Sequence, residues 1–107
     1  MSQAPNHLQT ETRKWFRQIV SEYELESHHV RLLEMAGSVW DEYEAARKSV
    51  AQHGQIFVDR YNQPRERPEV GIARQARIAF ARLVRELALD VEPPAPTRPP
   101  RTGGQSH

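Results

Sequence analysis

The chain has 107 residues, a formal net charge of +1, 37% hydrophobic and 27% charged residues, and no cysteine. That length allows one domain with a thin core, and the missing thiols exclude disulfide staples, zinc–thiolate sites and thiol catalysis. No apolar run approaches the roughly 18 residues of a membrane span, and MSQAPNHLQT lacks the basic and apolar regions of a signal peptide, so a soluble cytoplasmic protein is expected.

In chain order, residues 1–8 are small and polar and read as a disordered N-terminus. A helical domain over 9–90 follows. Trp15, Phe16, Ile19, Val20 and Tyr23 recur at helical spacing, with Thr10 as N-cap and Glu11 in the positive first turn, which predicts a first helix over 10–22. Ser27 is the next N-cap candidate. Val30, Leu33, Ala36, Val39, Trp40, Tyr43, Ala46 and Val50 hold one face as far as His53, and Gly54 is the stop, predicting a long second helix over 28–53. Gly37 inside it permits a close contact or marks a bend.

Ile56, Phe57 and Val58 are strand formers and Tyr61-Asn62-Gln63 offers a turn, while Pro64 restricts any return strand to a short edge. A β-hairpin with strands over 55–59 and 63–66 is predicted. Pro68 and Glu69 suit a helix start. Val70, Ala73, Ala76, Phe80, Leu83, Val84 and Leu87 then predict a third helix ending near Asp90, antiparallel to the second. Residues 91–107 contain five prolines and two glycines and read as a disordered tail. The fold class is mainly α: a short helix, two long antiparallel helices, and a small β-hairpin between helices 2 and 3.

Charge is unevenly distributed. Residues 1–59 hold six Lys and Arg against nine Asp and Glu, and residues 60–107 hold nine against five. Such asymmetry points to an anionic partner for the basic half, or to attraction between opposite halves of neighbouring copies. Between Arg60 and Arg85 all seven cations are arginine, opposed by only Glu66 and Glu69. Arginine suits bidentate phosphate binding. No pattern here specifies base recognition, and the plain alternative is a solvated helix face with some arginines paired to acidic helix 2.

Other constellations carry less. Adjacent His28 and His29 point about 100° apart on a helix and cannot readily chelate one ion, so no metal site is expected. Asp41, Glu42 and Glu44 with Arg47 and Lys48 read as a salt-bridged polar face. There is no Gly-rich phosphate loop, GxSxG or HExxH, so no catalytic residue and no cofactor are expected.

The segment from Leu8 to Asp90 resembles the small subunits of tailed-phage and prophage terminases. The resemblance is carried by ETRKWF, EYELESHHVRLL, the turn GQIFVDRYNQPRERPE and the closing RELALD, in the family's order and spacing. One departure is Tyr61-Asn62, where an aromatic followed by glycine is expected; Asn tolerates the left-handed turn conformation almost as glycine does. The resemblance implies a non-enzymatic helical packaging factor. Such a subunit assembles into a homo-oligomeric ring, binds double-stranded viral DNA at the packaging-initiation site in the bacterial host cell, and delivers it to the large ATPase and nuclease subunit.

Under that reading the expected DNA contacts are Arg60, Arg65, Arg67, Arg74 and Arg77, with Arg13, Lys14 and Arg17 of helix 1. The expected oligomer interface is Val39, Trp40, Tyr43, Ala73, Ala76 and Phe80. The alternative is a helical adaptor that binds only protein, its arginines pairing with acidic surfaces of neighbours.

Overall fold

The computed structural model describes residues 3–88 and 92–96. It contains three helices and one hairpin: α1 (Thr10–Glu22), α2 (Ser27–His53), β1 (Ile56–Val58), β2 (Pro64–Glu66) and α3 (Pro68–Leu87). The mainly α class and the hairpin between α2 and α3 are as expected. The third helix stops earlier than the periodicity suggests. Ala88 adopts the left-handed conformation at φ 55° and caps it through its backbone N–H to Arg85 O, while the expected end at Asp90 lies outside the described residues.

The helices form because each carries an apolar stripe at 3-and-4 spacing, and they pack because those stripes face one another. Trp15, Phe16 and Ile19 of α1, Leu33 and Ala36 of α2, and Phe80 and Leu87 of α3 make one buried cluster. The Trp40 ring sits 5.1 Å from Phe80, and Trp15 reaches the same ring from α1 at 6.0 Å. Trp40 stacks on Phe80, and Val50 further along α2 shares a hollow with Val70 nearer the start of α3, so α2 and α3 run antiparallel.

The residues expected at the oligomer interface also take part in the protomer's own packing. Ala76 and Phe80 are buried inside the protomer, Trp40 stacks on Phe80 and on Tyr43, and Val39 packs against the core. Ala73 lines a hollow with Val50 and Val70. Val39, Trp40, Tyr43 and Ala73 keep part of their surface exposed, whereas Ala76 and Phe80 do not. Among the described residues the large apolar side chains left exposed are Met35, Ile56, Val58, Tyr61, Ile72 and Ile78.

Two segments read as unstructured contribute to the fold. Leu8 is buried, and Leu8 with Thr12 fills the space over Gly37, so that glycine permits a close contact. In the proline-rich segment Pro94 is buried, and the Trp15 indole donates to the Glu92 carbonyl at 2.7 Å. Beyond Pro96 the expected tail lies outside the described residues.

Asp41 also departs from its expected role. Its carboxylate accepts from the backbone N–H of Gln9 at 2.8 Å and the Thr12 hydroxyl at 2.6 Å, so it holds the start of α1 to α2. Gln9, not Thr10, is the N-cap of α1, and its own side chain caps nothing; a carboxylate from another helix satisfies the entering backbone. Glu44 is buried, and Arg47 lies over the Tyr43 ring. Asp41 therefore serves the start of α1 rather than Arg47 or Lys48.

Candidate nucleic-acid interface

The hairpin is organised by Asp59. Its Oδ1 accepts from the backbone N–H groups of Tyr61 and Gln63, both at 2.9 Å, and its Oδ2 accepts from Arg65 Nε at 2.9 Å. Asn62 closes the turn by donating to Asp59 O at 2.9 Å with φ 63°, the left-handed conformation expected for it. The strands pair Ile56 with Glu66, Phe57 with Arg65 and Val58 with Pro64. The bonds from Gln63 and then Arg65, with a smaller contribution from Tyr61, hold the Asp59 carboxyl below the usual aspartate value.

These bonds divide the arginines of the hairpin. Arg65 is paired with Asp59, although its side chain stays 62% exposed. Arg67 donates through Nε to the His53 carbonyl at 3.2 Å, satisfying an open carbonyl at the end of α2, and through its backbone N–H to Gln55 at 2.7 Å. Its guanidinium also covers the Phe57 ring. Arg60 is exposed on the turn, resting over the Tyr61 ring at 5.1 Å. Arg65 and Arg67 thus have architectural partners that sequence reasoning did not see, because those partners lie across the turn or on the preceding helix.

The arginines of α3 are in a different state. Arg74, Arg77, Arg82 and Arg85 are all exposed, and among the described residues none has an ion-pair partner. Arg74 and Arg85 lie on one stripe, opposite the buried face of Ala76, Phe80 and Leu87, with Arg77 beside it and Ile78 between them. The expected pairing of these arginines with acidic helix 2 is absent within the described protomer.

The three cations of α1 do not form one patch. Arg13 donates to the carbonyls of Asn6 and Leu8 at 3.1 and 2.8 Å and fastens the N-terminal segment. Arg17 is exposed beside it, whereas Lys14 faces another groove and pairs with Glu11 at 3.7 Å. Of the eight expected DNA contacts, Arg60, Arg74, Arg77 and Arg17 have no carboxylate or carbonyl partner among the described residues.

A family model described as phage terminase, small subunit, matches residues 12–95. The chain belongs to the phage terminase small-subunit family. Searches of curated proteins and of solved structures return no match. The terminase match takes in α1 from Thr12 onward, all of α2, the hairpin and α3, every expected DNA-contact residue and residues 92–95 of the segment that crosses Trp15. Family membership assigns the chain a role in phage DNA packaging. Among the described residues no helix is long and apolar enough to cross a membrane.

Proposed function

We propose that this chain is the DNA-recognition subunit of a packaging terminase. In the bacterial host cytoplasm it assembles into a ring, binds double-stranded viral DNA at the packaging-initiation region, and hands it to the large ATPase and nuclease subunit. Its own role is non-catalytic. The observation that carries this reading is the set of exposed arginines on α3 that have no ion-pair partner among the described residues, in a chain of this family.

Phosphate binding on this account rests on Arg74, Arg77 and Arg85, supported by Arg60 on the hairpin and Arg17 on α1. Arginines without internal partners keep their donors available for bidentate phosphate contacts, and releasing DNA counterions drives association without reading bases. Arg65 and Arg67 principally hold the hairpin, with Arg13 and Lys14 similarly committed on α1. Subunit contacts draw on the exposed apolar residues, chiefly Met35 and Ile72 on the helices and Ile56, Val58 and Tyr61 on the hairpin.

A gel shift at low and high salt, paired with native mass, tests the reading. DNA binding that weakens with salt, by a species of several subunits, is expected. A monomeric mass with no DNA binding even at low salt would reject it in favour of a protein-only adaptor.

A further inference from the structure

Helix α1 carries a groove lined by none of the arginines assigned above to phosphate. Trp15, Ile19 and Tyr23 follow one another at i, i+4 and i+8 and line it, with Glu11 and Glu22 at its edges. Residues 92–96, EPPAP, lie across this face. The Trp15 indole donates to the Glu92 carbonyl at 2.7 Å, Pro94 is buried, and about 440 Å³ of open volume remains between helix and segment.

The chemistry of the two partners is complementary. Prolines at 93, 94 and 96 fix φ near −65° and bias the residues before them to extended backbone, so the segment is prepared as a polyproline-type strand at low entropic cost. Such a strand offers carbonyls with few donors of its own, since its three prolines lack an N–H, and an aromatic groove with an indole N–H is a surface that recognises it. Lys14 pairs with Glu11 at one edge of the groove, which leaves Glu22 as the carboxylate that favours a basic flank, and the sequence continues beyond Pro96 with Arg98 and Arg101. The family match itself extends past Leu87 to residue 95, so it includes this segment.

We propose that this face of α1 is a recognition site for a proline-rich peptide with a basic flank. Residues 92–96 occupy it in the subunit itself, and a separate peptide of the same kind binds there once they are displaced. The inference does not depend on DNA binding, since none of the α3 arginines takes part.

The test uses the full-length chain and a labelled peptide spanning residues 91–102. Pro94→Asp places a carboxylate at the buried position and releases the resident segment. That variant is expected to bind the peptide at least about tenfold tighter than the unsubstituted chain, where the tethered segment competes at an effective concentration on the order of millimolar. Adding Trp15→Phe removes the indole donor and weakens binding about fivefold. If Pro94→Asp loses helical circular dichroism, Pro94→Ala replaces it, with the same two effects expected on a smaller scale. Equal binding by the substituted and unsubstituted chains, or binding indifferent to Trp15→Phe, overturns the proposal.

Discussion

Arg65 donates through Nε to one carboxylate oxygen of Asp59, while the other oxygen of Asp59 holds the turn between the two strands. The most basic stretch of the chain is therefore built around an acid. Protonating Asp59 weakens all three bonds together. Because folding lowers its pKa below the ordinary value of 3.8, the stabilisation is fully present above pH 3.8 and is lost as pH falls through the lower folded value. Amide exchange at Tyr61 and Gln63 is expected to accelerate across that acidic window, and Asp59→Asn is expected to abolish the transition.

Gly37 lies under the N-terminal segment. A Cβ there would come within 3.2 Å of Leu8 Cδ1 and of Thr12 Cγ2. Thr12 is held by Asp41 and cannot easily retreat, so a branched side chain must lift the start of α1 from α2. Gly37→Val is expected to cost about 1–3 kcal/mol in denaturant unfolding, the usual range for overpacking a filled core, and to expose residues 3–8 to proteolysis.

Phe80 joins all three helices through Trp15 and Trp40. Phe80→Ala is expected to destabilise the subunit by about 3–5 kcal/mol, a large part of the total for a domain of this size. Since the contact is internal, the loss should be the same at low and high protein concentration. A loss that disappears on dilution would return Phe80 to a subunit interface.

The helices and hairpin were legible because apolar spacing and turn chemistry are local: the bounds of α1 follow from Trp15 to Tyr23, and Asn62 takes the left-handed turn its residue type allows. Leu8 and Pro94 were not legible. A single apolar anchor in a polar segment, or one proline among five, leaves no period to read. Partner choice among charges was equally hidden. Asp59 lies six residues from Arg65 and meets it only after the turn forms, and Asp41 leaves its neighbours on α2 to bind Gln9 and Thr12. Periodicity did place Trp40, Ala76 and Phe80 on packing faces, but it does not say whether the partner helix belongs to the same chain.

The central claim is that the unpaired arginines of α3 carry phosphate contacts. The most direct measurement is the salt dependence of DNA affinity for the triple variant Arg74→Gln, Arg77→Gln and Arg85→Gln, with its assembly checked by native mass. Each phosphate contact removed lowers the slope of log K against log salt by about 0.9, so a slope flatter by about 2–3 is expected. An unchanged slope in a variant of normal assembly would contradict the account.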